Sequence, residues 1–369
     1  MSRRTNAAIL SALLLVGVPG AVIAQEPQDE PMWPAATKKG AASAAALSDG
    51  FLAVGSNRKP LVSKVWESAD GSSWSRQESG DQLEGASMSR VEAFGDGAVA
   101  LGQDGRRLVA FHSPDGSDWA RFSVDRADKD MELFPQSLAS GPNGLVAVAN
   151  MVGQDIAGQR FYQSADGEAW TRIATPPETN GLFVSLKSTP DEYLAIARPG
   201  FTPGSDLYWR STDGVTWETF EGPEDGNIHD IAYGDGTFVA VGARPEPEEG
   251  QRQVVWAASE LGDWEVVYSY PSAKETEDRL HRVEAAAPGF VAAGTISGCP
   301  VQPRTCIEAS ILVSEDGREW RLLGIPDGVP GPLDATEVIS IASDGETTVL
   351  VAFHEEGRSE LWTLTPTDA

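Results

Sequence analysis

The stretch Trp209-Arg210-Ser211-Thr212-Asp213-Gly214-Val215-Thr216-Trp217 decides the fold, because the same pattern returns along the chain. In each copy, which we call a box, a bulky apolar residue precedes Ser-x-Asp-Gly and a Trp closes the unit. Full copies occupy residues 66–74, 111–119, 162–170, 209–217 and 312–320, and a degenerate copy occupies residues 256–264. Asp-Gly between apolar segments is a strong hairpin signal, because Gly adopts the positive φ of a tight turn without steric cost. Each box therefore predicts a strand, a turn held by the Ser and Asp side chains, and a returning strand that begins at the Trp.

The spacing of the boxes predicts a repeat architecture. Their closing Trp residues lie 45 to 56 residues apart, and a very apolar segment such as residues 238–242 recurs once in each interval. Four strands in a unit of this length are typical of a β-propeller, in which each blade buries its faces against its neighbours. A β-solenoid has shorter repeats, and a β-sandwich does not repeat its sequence. The sequence thus predicts an all-β propeller.

The number of blades depends on the two ends of the sequence. Six boxes suggest six blades, whereas seven very apolar second strands suggest seven. The last unit, residues 336–366, supplies three strands, with Trp362 on the third. Trp33 lies about one repeat before Trp74, at the position of a fourth strand. We therefore predict seven four-stranded blades, closed by an N-terminal strand around Trp33 that pairs within the last blade.

The boxes resemble the Asp-box (BNR) repeat of sialidase-type β-propellers, which is written Ser-x-Asp-x-Gly-x-Thr-Trp. Here the box is Ser-x-Asp-Gly-x-x-Trp, one residue shorter. The resemblance implies the propeller fold and leaves the activity open, because Asp-box propellers include sialidases, other glycoside hydrolases and many non-enzymatic proteins. A sialidase would also need an Arg-Ile-Pro motif, an arginine triad, a Tyr-Glu pair and an acid/base Asp. The sequence contains no Arg-Ile-Pro, so no catalytic residue is carried over from that family.

The first 24 residues have the pattern of a secretory signal peptide. Arg3 and Arg4 precede an apolar segment over residues 7–18, and Val22-Ile23-Ala24 supplies a small-residue cleavage site. The apolar segment is short for a membrane span, and an uncleaved anchor is the alternative. We expect a flexible leader over residues 25–30 and a single propeller domain over residues 31–366. The expected location is secreted, periplasmic or in the cell envelope, as a monomer without a membrane span after cleavage.

The acidic composition limits the partners. The chain has 28 Lys and Arg against 55 Asp and Glu, for a formal charge of −27. Such a surface repels phosphate backbones, so we expect no nucleic-acid partner. We find no nucleotide-binding loop, zinc motif or nucleophile elbow, and we expect no cofactor and no metal. Calcium bound by acidic loops is the alternative, although no EF-hand spacing supports it.

Alignment of the repeats places polar residues on the first strands, which line the axis of a propeller. Arg90, His229 and Arg282 share one aligned position, and Glu92 and Glu284 lie two residues further along. Side chains two residues apart lie on the same face of a strand. The first position also holds Ser43, Ser137 and Ser185. The second position also holds Ala45, Ala139, Lys187 and, after His229, Ile231. We predict that the five charged and histidine residues form an axial funnel for an anionic or sugar ligand. The alternative is a satisfied Arg-Glu network that holds neighbouring blades together.

Two cysteines, Cys299 and Cys306, lie in one short loop. In an exported chain, two cysteines this close predict a disulfide that closes the loop. A metal site would need further soft ligands nearby.

These patterns predict an exported, non-catalytic propeller that acts as a binding or interaction module for a glycan or protein ligand. The alternative is a glycoside hydrolase of exo-sialidase type. A purely structural envelope protein is a third class, which an axis plugged by side chains would favour.

Overall fold

Seven sheets surround one axis, and each forms a blade of four antiparallel strands, to which one blade adds a short fifth strand. The computed structural model describes residues 33–37, 40–58, 60–78, 80–153, 157–176, 183–198, 206–224, 226–246, 250–270, 276–286, 289–297, 307–323, 337–354 and 359–364. The chain is a seven-bladed β-propeller. The helical content of these ranges is one 3-10 turn, Asp81–Leu83.

The strands of blades 1 to 6 follow one another in the chain from the axis outward, and the first strand of the chain, β1 (Trp33–Thr37), lies in blade 7. Blade 1 contains β2 (Ala41–Leu47), β3 (Gly50–Arg58), β4 (Leu61–Ser68) and β5 (Ser75–Arg76). Blade 2 contains β6 (Ser87–Phe94), β7 (Gly97–Asp104), β8 (Arg107–Ser113) and β9 (Ala120–Arg126). Blade 3 contains β10 (Met131–Gly141), β11 (Gly144–Gly153), β12 (Ala157–Ser164) and β13 (Thr171–Ile173).

The second half of the ring repeats this order. Blade 4 contains β14 (Phe183–Ser188), β15 (Tyr193–Arg198), β16 (Leu207–Ser211) and β17 (Glu218–Thr219). Blade 5 contains β18 (Asn227–Gly234), β19 (Thr237–Glu246), β20 (Gly250–Ala258) and β21 (Glu265–Tyr270), and the short β22 (Thr276–Glu277) pairs with β20. Blade 6 contains β23 (Arg279–Ala285), β24 (Phe290–Ser297), β25 (Ile307–Ser314) and β26 (Arg321–Leu322). Blade 7 contains β27 (Glu337–Ser343), β28 (Thr348–Phe353), β29 (Ser359–Leu364) and β1.

Strand β1 completes blade 7, which confirms the predicted closure and the count of seven. It pairs antiparallel with β29, so that Trp33 lies opposite Thr363 and Pro34 lies opposite Trp362. Pro34 lacks a main-chain donor, and an outermost strand tolerates this because one of its edges faces solvent. The Thr363 hydroxyl donates to the main-chain oxygen of Gly71 in blade 1 at 2.6 Å. The two ends of the propeller are therefore joined at one seam.

The core lies between the blades. In the described chain the buried apolar side chains form seven clusters, one at each interface between neighbouring blades. Tryptophans of the third strands pack toward the preceding blade: Trp66 against blade 7, Trp209 against blade 3 and Trp362 against blade 6. Because each blade face is covered by its neighbour, closure of the ring adds the apolar burial of the last interface to that of the other six.

The boxes form the turns between third and fourth strands. In the box of blade 4, Asp213 Oδ1 accepts from the main-chain nitrogens of Val215 at 2.8 Å and Thr216 at 2.7 Å, and from Ser211 Oγ at 2.9 Å. The N–H donors of Thr216 and Val215 lower the pKa of Asp213 to about 2. Trp217 lies just before β17 rather than within it, and its ring meets Phe161 of blade 3 edge-on at 6.0 Å. Each box thus closes a hairpin and contacts the preceding blade.

Candidate functional site

The first strands of the blades line the axis, and a β-bulge lies near the start of most of them. Of the seven first strands in the described ranges, six have this bulge, and β14 lacks it. In β6 the extra residue is Ser89, between Met88 and Arg90. Gly102 lies opposite the bulge, because any Cβ at this position would collide with the main-chain oxygen of Ser87. A bulge changes the direction of the side chain that follows it.

The side chain that follows the bulge, or the equivalent side chain in β14, occupies what we call the ring position. From blade 1 to blade 7 this register position holds Ser43, Arg90, Ser137, Ser185, Asp230, Arg282 and Ser340. Each of these side chains hydrogen-bonds to the next blade. Four accept a main-chain N–H, from Val91 to Ser43, Leu186 to Ser137, Val283 to Asp230 and Ala44 to Ser340. Ser185 donates to Asp230, and the arginines donate Nε–H to the main-chain oxygens of Gln136 and Ile339. The described ring is therefore closed by seven contacts that join neighbouring blades.

The sequence alignment is one residue off in blade 5. Asp230 occupies the ring position, opposite Val241, and His229 is the bulge residue before it. Two residues further, the aligned residue is Ala232, opposite Val239, rather than Ile231.

The error came from aligning the repeats on glycine. Gly50 begins a second strand with φ 143°, and a Cβ there would strike the main chain of Ser68. Gly236 instead ends the turn that starts at Asp235, with φ 75° and no atom within 4 Å of a Cβ. The two glycines serve different steric needs, so they do not mark the same position in the repeat.

The axis encloses a chamber of about 480 Å³ lined by the first strands. All five residues of the predicted funnel, Arg90, Glu92, His229, Arg282 and Glu284, line this chamber. Blade 1 contributes only alanines and one serine, residues 42–46. Blades 2, 4, 5 and 6 contribute charged side chains, and blade 7 contributes Glu337. The charged residues of the chamber therefore come from five of the seven blades.

Lys187 is the centre of a charged cluster at the axis. Its Nζ lies 2.8 Å from Glu284 Oε2 and 3.4 Å from Asp230 Oδ2. The Asp230 side chain is only 1% exposed, whereas that of Glu284 is 35% exposed to the chamber. Burial opposes the charged ammonium, but Asp230 and Glu284 outweigh it and raise the pKa of Lys187. One cation thus pairs with carboxylates from two other blades.

Glu92 has a different environment, although it lines the same chamber. In the described ranges no hydrogen-bond donor or cation lies within bonding distance of its carboxyl group. Burial within the chamber walls, followed by the charge of Glu284, raises the pKa of Glu92 to about 8, while Lys187 opposes the shift. Glu92 is therefore mainly protonated at neutral pH.

The two axial arginines have no ion-pair partner among the described residues. Arg90 donates to the main-chain oxygens of Gln136 at 2.8 Å and Ser89 at 2.7 Å. Arg282 makes the equivalent bonds to Ile339 at 3.1 Å and His281 at 2.8 Å. Burial and the nearby charge of Arg282 lower the pKa of Arg90 to about 10, so Arg90 stays charged at neutral pH. The chamber therefore holds two cations whose partners are neutral oxygens.

His229 supports the neighbouring blade. Its Nδ1 lies 2.7 Å from the main-chain oxygen of Leu280, which can only accept, so this nitrogen has the proton. Its ring stacks on His281 with centroids 5.8 Å apart and planes 22° apart. The residue lines the chamber and also contacts blade 6.

Sequence reasoning missed Asp230 as a site residue and left Lys187 and His281 outside the funnel. Lys187 is aligned with Glu92 and Glu284, and the only sign of its role in the sequence is that it is a cation at a position where other blades have Ala or Glu. The positions of Asp230 and His281 at the axis depend on the bulge. In the sequence, the bulge is indicated by the Gly opposite it, such as Gly242 at the end of the apolar segment 238–242.

The described residues were also considered as a metal site and as a membrane span. No group of three His, Cys, Asp or Glu residues in the described ranges could hold a metal ion. Among the same residues no helix has the length and hydropathy to cross a membrane. Cys299 and Cys306, the signal segment 1–24 and the leader 25–30 lie outside the described residues, so the disulfide and the signal peptide stay predictions.

Comparison with known proteins supports the fold and no more. No protein-family model matches the sequence, and no curated protein matches it either. The chain is similar to a puromycin hydrolase, solved as the S511A mutant complexed with PGG, with 13% identity and a TM-score of 0.55. The similarity covers 89% of this chain and 52% of the hydrolase, so the chain spans about half the length of that protein. At this identity the similarity shows the propeller fold alone.

Two weaker similarities involve carbohydrate-related proteins. The fucose-binding lectin of Aleuria aurantia, described as a six-bladed β-propeller, is 12% identical with a TM-score of 0.42, over 82% of this chain and 99% of the lectin. A structure from the GH130 family of mannoside phosphorylases and glycoside hydrolases is 8% identical with a TM-score of 0.40, over 95% of this chain and 93% of that chain. Both scores are too low to support an argument about function.

Proposed function

We propose that this protein is a non-catalytic binding module whose axial chamber takes an anionic ligand, such as the carboxylate of an acidic glycan. The observation that carries the proposal is the pair Arg90 and Arg282. Both residues line the chamber, and neither guanidinium group has a carboxylate within ion-pair distance in the described ranges.

A ligand carboxylate suits these arginines for two reasons. Guanidinium groups bind planar oxyanions through paired charge-assisted hydrogen bonds. Each Arg uses Nε and Nη1 on main-chain oxygens, which fixes the orientation of the guanidinium plane before a ligand arrives. The small side chains of blade 1, which are alanines and one serine, leave space in the chamber for a sugar ring.

Calorimetric titration with D-glucuronate, N-acetylneuraminate and D-glucose tests this function. The two acidic sugars are expected to bind, and D-glucose to bind much more weakly. Arg282→Gln should weaken binding about tenfold or more, because a hydrogen bond to a charged group contributes about 1.5–3 kcal/mol. Arg318→Gln is the matched control, since Arg318 pairs with Glu265 on the outer strand β21, away from the axis. Equal binding of glucose and glucuronate, or full affinity in a folded Arg282→Gln protein, would contradict the proposal.

A second candidate function, hydrolysis of glycosides, rests on the two glutamates. Glu92 and Glu284 both line the chamber, and most glycosidases use a pair of carboxyl groups. The described lining contains no tyrosine, so the nucleophile of an exo-sialidase has no counterpart there. Incubation with sialosides and aryl glycosides separates the two functions. Sugar release that Glu92→Gln abolishes would favour a hydrolase.

We also propose that the boxes make this chain a relative of the Asp-box propellers and that it acts outside the cytoplasm. The Ser-x-Asp-Gly pattern and the signal-like first 24 residues support these two statements. N-terminal sequencing of protein recovered from the culture medium or periplasm tests the second, with Gln25 expected as the first residue.

A further inference from the structure

The tetrapeptide Arg-Val-Glu-Ala occurs twice at the axis, at residues 90–93 of β6 and 282–285 of β23. In both copies the Arg occupies the ring position and makes the same pair of main-chain hydrogen bonds. The glutamates that follow are two residues further along, on the same strand face. The ring thus contains the same chemical unit in blade 2 and in blade 6.

The two glutamates of these units differ in their neighbours. Glu284 is neutralised by Lys187 at 2.8 Å. No described cation lies within 4 Å of Glu92. Lys187 is already shared between Glu284 and Asp230, so it is not available to Glu92 without breaking a bond. An identical sequence therefore has a paired carboxylate in one blade and an unpaired carboxyl group in the other.

The surroundings of Glu92 disfavour a further negative charge there. Five of the seven first strands contribute titratable or charged groups to the same chamber. They are Arg90 on β6, Lys187 on β14, His229 and Asp230 on β18, His281, Arg282 and Glu284 on β23, and Glu337 on β27. Burial and the charges of Glu284 and Asp230 raise the pKa of Glu92, with Lys187 opposing them. A protonated carboxyl group is a hydrogen-bond donor, which an ionised one is not.

We propose that Glu92 stays protonated in the bound state and donates its O–H to the anion held by Arg90 and Arg282. The chamber then selects ligands that offer an acceptor oxygen beside their charge, as a carboxylate does. No covalent bond forms or breaks, and the proton remains on Glu92. This inference rests on the proposed function, since it concerns the same ligand. It adds that binding requires a proton on one named residue.

The test is the affinity for D-glucuronate at two pH values. The ligand carboxylate is ionised throughout, so any change in affinity belongs to the protein. Affinity of the wild-type protein should fall about tenfold between about pH 7 and about pH 9, because only about a tenth of the Glu92 side chains keep the proton one unit above a pKa of about 8. Glu92→Gln has a neutral donor of similar shape, and its affinity should be equal at the two pH values.

Two further variants sharpen the test. Glu265→Gln removes an exposed glutamate of the outer strand β21 that pairs with Arg318. This variant should keep the pH dependence of the wild type. Glu284→Gln frees Lys187 and removes a repulsive charge, so the loss of affinity should begin at lower pH. Carboxyl 13C NMR of glutamate-labelled protein should show one resonance that titrates near pH 8 and is absent in Glu92→Gln.

The outcomes separate this inference from the proposed function. If glucuronate binds with the same affinity at both pH values in the wild-type protein, the role of Glu92 is wrong and the arginine site survives. If neither glucuronate nor N-acetylneuraminate binds the folded protein at about pH 7, both statements are overturned. If no glutamate resonance titrates above the ordinary range, the protonated Glu92 is excluded whether or not a ligand binds.

Discussion

Lys187 of blade 4 and Glu284 of blade 6 form an ion pair beside the axis, with 2.8 Å between Nζ and Oε2. Blade 5 stands between these two blades in the ring, and its Asp230 lies 3.4 Å from the same ammonium. Three blades that do not all touch one another are therefore joined through one side chain. Because Asp230 also accepts the main-chain N–H of Val283 at 3.1 Å, the cluster is part of the ring of contacts between first strands.

Removal of this ammonium should destabilise the propeller. Lys187→Met leaves Asp230 and Glu284 close together without a counter-charge, and loss of one partner of a buried pair is costly. We expect the free energy of unfolding to fall by about 2–4 kcal/mol, since the lysine side chain is partly exposed to the chamber. Arg318→Met, which breaks a half-exposed pair with Glu265, should cost less than about 1 kcal/mol. Urea unfolding of the two variants gives the comparison, and equal losses would contradict a special role for Lys187.

Strand β1 should stabilise the whole ring. A truncation that starts at Lys38 removes β1 and exposes the edge of β29 and its apolar neighbours. Loss of several net hydrogen bonds, each contributing about 0.5–1.5 kcal/mol, should lower the free energy of unfolding by about 2–5 kcal/mol. A truncation that starts at Met32 retains β1 and serves as the control. If both truncated proteins unfold at the same temperature in calorimetry, the closure has no energetic role.

The degenerate box provides a matched control for the aspartate of the turn. Asp213→Ala removes an acceptor for two main-chain donors and one hydroxyl, so a loss of about 1–2 kcal/mol is expected. In the box of blade 5, Glu260 stands at the same position and has no side-chain hydrogen bond among the described residues. Glu260→Ala should therefore change stability by less than about 0.5 kcal/mol. A loss at Glu260 as large as that at Asp213 would refute the turn mechanism.

The box aspartates should make the protein lose stability in acid. Main-chain N–H donors lower the pKa of Asp70, Asp115 and Asp213 to about 2 in the folded protein, below about 3.9 in an unfolded chain. Because the folded pKa is the lower one, this stabilisation is complete above about pH 4 and is lost as the pH falls toward about 2. Thermal unfolding across this window should show a steady decrease. The difference between wild type and Asp213→Asn should narrow over the same window, and a constant difference would contradict the linkage.

The disulfide is tested by mass spectrometry. Non-reduced protein recovered from an oxidising compartment should yield a peptide in which Cys299 is linked to Cys306. Alkylation of both thiols without prior reduction would show that the loop is open.

Much of the fold follows from local sequence. The Ser-x-Asp-Gly boxes predict their own turns, because the Asp and Gly interact with residues two or three positions away. The periodic Trp residues predict the repeat, and the Trp33 position predicts the closing strand, since the blades have similar lengths and each needs four strands. These features depend on contacts within one repeat or on the spacing of equivalent repeats, and both can be recognised in a single sequence.

The chemistry of the axis was decided by tertiary structure. Sequence identified Arg90, Glu92, His229, Arg282 and Glu284 as axial residues, and all five line the chamber. It could not show that Gly236 ends the turn before the second strand of blade 5, whereas Gly50 begins the second strand of blade 1, so that Asp230 rather than His229 occupies the ring position. Nor could it show that Lys187 pairs with Glu284 and not with Glu92, because the two glutamates lie in separate copies of the same tetrapeptide. The charge of a side chain at the axis depends on distances between blades far apart in sequence, and only the closed ring sets those distances.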